Sequence, residues 1–488
     1  MITPRFTLTQ DDTYLHITIY APFTNLENTD IFMEGTDFRF FSKPYYLRLH
    51  LPGEIEESES AGGEYQADIA SFVLRCPKKN PGENFEGLEM ITKLLTPSGD
   101  TQVRANIEEL DAENEEDAEE EEIDFFYEQS MPEQEQTMNI TESTSEFGYG
   151  FNFAKTGVFK NLLDEFEQLL DVKNPDSKPL RVRREEREKT ETESFDADHY
   201  LCDLYETEEI NSILSYKPTW SKLTGTDEKI DPHDKSLSFS PSEQEQMLAL
   251  PWRNYKLTEK EKGPVFFTLL DILYGFGFDD RINLGDPGSE SGWCIAKLSP
   301  TLSSCTKNSS LKQTLISCIR RSLVYPLYRH WDLSILVWKD VIDILKVGKV
   351  AVIKSLLKVL SSFSDTEGYY ILSQLYIQDY VTWIQTVPDT HLESLTSAVE
   401  KTLSGLTKAD LELELDELEE AAELTLQEEK EEEEEKEEKH PEQNLADILQ
   451  KKLVINPVDS DDSSDSDDST DSDDSSESES DTESTDKS

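Results

Sequence analysis

Tyr14-Leu-His-Ile-Thr-Ile-Tyr20 and Tyr45-Tyr-Leu-Arg-Leu-His-Leu51 decide the fold of the N-terminal region. In the first stretch Leu15, Ile17 and Ile19 alternate with Tyr14, His16, Thr18 and Tyr20. In the second, Tyr45, Leu47, Leu49 and Leu51 share one face, and Tyr46, Arg48 and His50 share the other. Strict period two puts one face on a core and the other toward water, which leaves His16 and His50 on the solvent side. Further short runs, Ile31–Met33, Asp37–Phe41 and Ser71–Arg75, lie between Gly, Pro, Asn and Asp punctuation. Strands at that spacing predict an all-β antiparallel sandwich over residues 1–96.

Past the sandwich the charge becomes very uneven. The 488 residues include 104 Asp and Glu against 46 Lys and Arg, a formal net charge of −58. Residues 101–146 hold 17 acids against one Arg, and residues 410–488 hold 33 acids against six Lys. Blocks of like charge repel and bury too little apolar surface to offset chain entropy. The sequence therefore predicts a disordered acidic linker over 97–146 and a disordered Ser/Asp/Glu-rich tail over 409–488. The Glu/Lys run inside the tail is expected to form no stable helix, because its net charge repels. The linker carries an apolar island, Ile123-Asp-Phe-Phe-Tyr127, which reads either as chance placement or as a short anchor. The tail carries Leu445-Ala-Asp-Ile-Leu-Gln-Lys-Lys-Leu-Val-Ile455, apolar at helical spacing, read as a segment that folds on contact. In Ser460-Asp-Asp-Ser-Ser-Asp-Ser466 acids follow serines, the pattern of acid-directed kinases. Ser460, Ser463, Ser464 and Ser466 are the phosphorylation candidates. A polyanion repels phosphate backbones, which argues against direct nucleic-acid binding, and attracts basic surfaces instead.

From Phe147 the apolar period becomes 3.6. Phe147-Gly-Tyr-Gly-Phe-Asn-Phe153 leads into Leu162, Leu163, Phe166, Leu169 and Leu170. Ser240-Pro-Ser-Glu243 is a capping box with Pro at the first helical position. Apolar runs Val265–Leu273, Leu311–Leu327, Leu333–Leu345, Val350–Leu360 and Tyr370–Gln385 follow, then a second box, Thr390-His-Leu-Glu393. The series predicts an all-α domain over 147–408. Arg181-Val-Arg-Arg-Glu-Glu-Arg187 is basic but interrupted by acids, a poor candidate for a localisation signal.

Constellations for catalysis are missing. The sequence has no phosphate-binding GxxxxGK[ST], no GxGxxG, no HExxH and no CxxC, so it predicts no enzyme, no metal and no cofactor. Gly148, Gly150, Gly275 and Gly277 read as turns or close helix contacts. Cys76, Cys202, Cys294, Cys305 and Cys318 form an odd, widely spaced set. Without an apolar h-region at the N-terminus they read as reduced thiols. No run of eighteen apolar residues occurs, so no membrane span is expected. The six tryptophans read mainly as core, and any exposed one flanked by acids reads as an interface anchor. Acids beside aromatic residues are the candidate partner contacts: Asp203 and Glu206 around Tyr205, and Asp279 and Asp280 after Phe278, although solvated helix faces carry the same pattern.

Several separate motifs, in order, carry a resemblance. Met1-Ile-Thr-Pro-Arg-Phe6, Pro44-Tyr-Tyr-Leu-Arg-Leu49 and Phe85-Glu-Gly-Leu-Glu-Met-Ile-Thr-Lys-Leu-Leu95 resemble the CS domain of the Shq family. Phe147-Gly-Tyr-Gly-Phe151, Phe239-Ser-Pro-Ser-Glu-Gln-Glu-Gln-Met-Leu-Ala-Leu-Pro251 and Pro326-Leu-Tyr-Arg-His-Trp-Asp-Leu333 resemble its helical domain. The resemblance covers most of residues 1–408 and leaves out the linker and tail. It implies a multidomain chain: a small heat-shock-like CS sandwich at 1–96 and a Shq-specific helical domain at 147–408. It also implies an assembly chaperone of box H/ACA ribonucleoproteins, telomerase included, in nucleoplasm and cytosol. The partner it implies is an RNA-free dyskerin-type pseudouridine synthase gripped on its RNA-binding surface, with ATP-dependent machinery for release. Two other classes stay open: a CS co-chaperone of the large heat-shock ATPase, and a chaperone of basic nuclear proteins acting through the acidic tail. Fold alone carries neither activity over.

Overall fold

The computed structural model describes residues 2–22, 24, 29–56, 62–66, 69–96, 146–161, 169–205, 207–224 and 238–439. Almost all of the acidic linker, with its Ile123–Tyr127 island, lies outside the described residues. So do Leu162, Leu163, Phe166, Glu206, the Leu445–Ile455 island and the tail serines Ser460, Ser463, Ser464 and Ser466.

Residues 5–77 form two antiparallel sheets. One has the order β1-β2-β6-β5, built from β1 (Arg5–Gln10), β2 (Tyr14–Tyr20), β6 (Ser71–Pro77) and β5 (Gly62–Gln66). The other pairs β3 (Thr29–Ser42) with β4 (Tyr45–Ile55). Register follows the alternation. Ile17 lies opposite Leu8 and Leu74, while Phe38 and Phe40 lie opposite Leu49 and Leu47. The two sheets meet through these inward faces, with the Phe40 and Phe72 rings edge to face at 5.0 Å. Ile31–Met33 and Asp37–Phe41 prove to be one strand, bent where the register shifts between Gly35 and Asp37. Gly35 takes φ 56°, which favours a residue without Cβ. Strand β1 alternates only briefly, with Phe6 and Leu8 between Arg5, Thr7 and Thr9, and β5 carries no alternation. They are positioned by pairing with β2 and β6.

The helical half is built around the helix Glu259–Ile282, buried on every side from Pro264 to Arg281. A helix apolar all round belongs in an interior. The helices Ser291–Leu298, Leu311–Val324, Trp331–Val347 and Lys349–Asp365 pack on it. Gly275 permits the closest of these approaches, since a Cβ there would lie 2.5 Å from the Ile295 carbonyl oxygen. The Phe147–Phe153 segment is a loop that plugs this core. Phe151 packs 4.7 Å from the Tyr255 ring and 4.9 Å from Tyr380. Ser240 closes its capping box with Glu243 as the sequence predicts. Thr390 does not cap: the helix Asp389–Ser404 begins one residue earlier, behind Pro388. Two further boxes form, Thr258 with Glu261 ahead of the Val265–Leu273 run and Thr407 with Asp410, the latter without an apolar run after it to mark it.

Three features differ from expectation. The sandwich and the bundle share one apolar core, joined by the helix Ile91–Leu95. There the Thr92 and Lys93 amides donate to Gln385 Oε1 at 3.0 and 3.2 Å, and Thr92 Oγ1 donates to the Met247 carbonyl at 3.1 Å. Arg181–Arg187 lies in the helix Leu180–Glu193, whose Arg183 and Arg187 are buried, so it presents no continuous basic surface. The ordered chain also runs past residue 408. Leu411, Leu413 and Leu415 are buried at alternate positions, and a helix spans Leu415–Lys439. Burial of those leucines anchors the helix start, a tertiary contribution that charge counting left out.

Candidate partner-binding surface

One edge of the bundle gathers exposed acids on a rigid frame. Its centre is Tyr200, buried in the helix Ala197–Tyr205, whose hydroxyl donates to Glu419 Oε1 at 2.5 Å. Glu419 also receives Lys408 Nζ at 2.6 Å, and that ammonium sits over the Trp331 ring at 5.9 Å. Burial and then the Glu419 carboxylate push the Tyr200 hydroxyl far above its ordinary pKa, so it stays a donor. The chain reaches this point along Asp410-Leu-Glu-Leu-Glu-Leu415. Its leucines face the core, its Leu411 carbonyl accepts from Arg320, and Glu412 and Glu414 point outward.

The second wall is the turn Pro326–His330, tied to the helix Ala197–Tyr205. The Arg329 amide donates to Asp203 Oδ2 at 2.6 Å, and His199 Nε2 meets the Leu327 carbonyl at 2.8 Å. Tyr328 donates to Glu209 Oε2 at 3.0 Å, across to the helix Thr207–Ser215. These bonds leave Leu327 69% exposed at the tip of the turn, while Tyr205 is 42% exposed at the end of its helix. Asp198, Glu208, Glu209, Asp416, Glu417 and Glu420 are exposed around them. Fixed carboxylates about an apolar tip suit a basic partner: the charges steer encounter, and the apolar group fills a pocket.

The expected contacts divide here. Asp203 and Tyr205 belong to this edge, Asp203 as a brace for the turn and Tyr205 as accessible surface. Asp279 and Asp280 do not. Both are buried near the end of the helix Glu259–Ile282, which takes them off the accessible surface. Asp279 accepts from Asn283 Nδ2 at 2.9 Å, with its carboxyl pushed up to about 6 by burial. Asp280 holds Lys358 Nζ at 3.3 Å and lies 3.4 Å from the Tyr216 hydroxyl. Leu327 stands inside Pro326–Leu333, and only the folded turn reveals that it projects into solvent. Of the tryptophans, Trp220, Trp338 and Trp383 are core, whereas Trp252 and Trp293 are each 39% exposed. Cys76, Cys294, Cys305 and Cys318 are free and buried, and Cys202 is exposed. No group of three or more His, Cys, Asp or Glu is arranged to hold a metal among the described residues. No helix among them is long and apolar enough to cross a membrane.

Both halves match family models. The SHQ1-like CS domain covers residues 3–95, and the Shq1 domain of SHQ1 proteins covers residues 228–415. Similar proteins include the mouse Protein SHQ1 homolog, 40% identical over 442 residues, covering 88% of this chain and 76% of the relative. The zebrafish Protein SHQ1 homolog is 39% identical over 435 residues, 88% of this chain and 72% of the relative. The fission yeast Protein shq1 is 32% identical over 449 residues, 87% of this chain and 97% of the relative. Residues 411–415, first set apart as tail, fall inside the Shq1 match, in agreement with their burial. Matched in both halves and along most of its relatives' length, the chain belongs to the SHQ1 family.

Proposed function

We propose that this chain is a non-enzymatic assembly chaperone for box H/ACA ribonucleoproteins, the telomerase particle included. It binds a dyskerin-type pseudouridine synthase before RNA arrives and covers its RNA-binding surface. The observation that carries the reading is the acidic edge around Tyr200 and Glu419 with Leu327 at its tip. A surface made to hold phosphates is basic, and carboxylates fixed on a rigid frame occupy it without the entropy cost of ordering a flexible polyanion. The reading places the complex in nucleoplasm and cytosol, with ATP-dependent machinery taking the chaperone off and with phosphates on Ser460, Ser463, Ser464 and Ser466 adding to the charge.

The test uses purified RNA-free synthase and fluorescent H/ACA guide RNA. Adding this chain displaces the RNA in proportion to its occupancy, and binding weakens as salt rises. Leu327→Asp weakens binding about tenfold or more, the loss of one apolar anchor. A ternary complex in which synthase holds RNA and this chain together would refute the proposal.

A further inference from the structure

Leu284 is a second exposed leucine that the fold holds at the tip of a turn, and its backbone is strained. The helix Glu259–Ile282 closes with the Leu284 amide donating to the Arg281 carbonyl at 3.2 Å and the Gly285 amide to the Asp280 carbonyl at 2.7 Å. That pair of bonds ends a helix around a left-handed residue, ordinarily Gly, at the position Leu284 fills. Leu284 takes φ 53°, where a Cβ crowds the backbone, and the glycine stands one residue late. Gly285 is needed where it is, because a Cβ there would strike the Tyr216 hydroxyl. Leu284 itself is 53% exposed, so packing within the chain does little to offset its strain.

Its surroundings repeat those of Leu327. Asp286 and Glu290 are exposed in the same turn, and neither forms an ion pair among the described residues. Asp365 and Glu367 are exposed on the corner whose Thr366 packs against Gly292. Trp293, 39% exposed, follows in the first turn of the helix Ser291–Leu298. Two cations close by are committed, Arg281 to Asp340 and Lys358 to Asp280.

One short helix joins the two tips. At its start Glu209 accepts from Tyr328, the neighbour of Leu327. At its end Arg281 Nη1 donates to the Ile213 and Tyr216 carbonyls at 3.0 and 2.9 Å, and the Tyr216 side chain packs on Gly285. The helix between, Thr207–Ser215, has nine residues and is about 13 Å long. It exposes Glu208, Asn211, Ser212 and Ser215, with Lys217 exposed just past its end. An interface of standard size, about 800 Å² on each partner, is wide enough to take both tips.

We propose that Leu284 is a second apolar anchor for the same basic partner, the RNA-free synthase, which the chain grips at Leu284 and Leu327 together. The proposal rests on the function proposed above and extends its surface along the helix Thr207–Ser215. Asp286 and Glu290 meet basic groups around the pocket that takes Leu284, as the acids of the first edge do around Leu327.

The experiment exploits the strain. Gly and Asn both accept the left-handed conformation, so Leu284→Gly and Leu284→Asn remove the side chain while easing the backbone. Full-length native and variant chains are titrated into fluorescent RNA-free synthase, and the melting temperature of each chain is recorded. Each variant is expected to bind about tenfold more weakly, with a melting temperature equal to the native one or higher. Asp286→Lys is expected to weaken binding more at low salt than at high salt. Leu327→Asp added to Leu284→Gly is expected to multiply the two losses, as separate sites do. If the native chain does not bind the synthase, the proposed function falls and this inference with it. If the native chain binds and Leu327→Asp weakens it, but neither Leu284 variant does, this inference alone is overturned. A fall in melting temperature that accompanies the lost affinity would overturn it too, by making Leu284 a structural residue. So would a native self-association that Leu284→Gly abolishes, which would place the turn on a second copy.

Discussion

The sandwich and the helical bundle meet in one core yet solve burial differently. Inside the sandwich the facing side chains are apolar, pair by pair: Leu15 with Cys76, Ile17 with Leu74, Phe38 with Leu49. Its buried cation Lys78 is held by Gln10 Oε1 at 2.9 Å and by two carbonyl oxygens at 2.7 Å, with no carboxylate partner among the described residues. The bundle instead runs a charged seam through its interior. Glu191, fully buried, takes Arg321 at 2.9 Å, Arg187 at 3.3 Å and Arg320 at 3.4 Å, while Arg321 also reaches Asp171 at 2.6 Å. A second clamp, Arg281 on Asp340 at 2.7 and 2.9 Å, joins the helices Glu259–Ile282 and Trp331–Val347. Strand register is set by the apolar alternation and by the turns, so the sandwich interior needs no charged pairs to fix it. Helices slide along one another more readily, and directional ion pairs fix their offset at the expense of desolvation.

The sharpest way to break that contrast is Arg321→Met, which removes the cation that bridges Asp171 and Glu191 and leaves only Lys297 on the first and Arg187 and Arg320 on the second. The expected loss is about 3–5 kcal/mol, read from urea denaturation at neutral pH. Burial raises the Asp171 carboxyl, but Arg321 and Lys297 outweigh it and hold the folded value below the ordinary one. A depressed carboxylate gives stability that is present above its unfolded pKa and lost as pH falls through the folded value. The cost of Arg321→Met should therefore shrink in acid as Asp171 protonates. Leu49→Ala in the sandwich is the counterpart, costing about 2–5 kcal/mol through lost transfer energy and a cavity. Its cost should not change over the same pH range. A common pH dependence for both variants would erase the distinction.

The same contrast governs what could be read in advance. Leu15, Ile17 and Ile19 reveal a strand because apolar alternation is a local signal, and Leu333–Leu345 reveals a helix for the same reason. Arg183, Arg187 and Glu191 are spaced four apart and all face inward, yet in sequence they look like a solvated stripe. Only distant partners, the Gly148 and Cys305 carbonyls for Arg183 and the Arg321 guanidinium for Glu191, 35 to 130 residues away, turn them into interior groups. Asp279 and Asp280 misled in the opposite sense: acids after an aromatic suggested surface, whereas the long apolar run before them continues into the core. The acidic edge was half legible. Asp203 and Tyr205 marked one wall, but Glu419 was hidden in a stretch whose charge alone argued against order.

Between the two halves, Gln385→Leu tests whether the shared core makes them one cooperative unit. It removes the acceptor for the Thr92 and Lys93 amides, and the buried Thr92 N–H is left without a partner. About 1–3 kcal/mol should be lost. The loss should fall on the junction, so calorimetry is expected to show one transition for the native chain and two, sandwich and bundle, for the variant. A uniform downward shift with one transition kept would mean the apolar contacts alone couple them.

The smallest effect separates a true helix start from a look-alike. Ser240 Oγ accepts from the Glu243 amide at 3.2 Å, and Glu243 returns the bond to the Ser240 amide at 2.7 Å. Ser240→Ala removes the first of these and should cost about 1 kcal/mol. Thr390→Ala should cost less, because the helix starts at Asp389 and Thr390 already lies inside it, where Ala has the higher propensity. The two tetrapeptides are alike in sequence. What differs is where proline stands: Pro388, two residues before Thr390, sets the boundary at Asp389, whereas Pro241 follows Ser240 and fixes the first helical position behind it. Equal costs at the two sites would show that the capping hydrogen bond carries no weight in starting these helices.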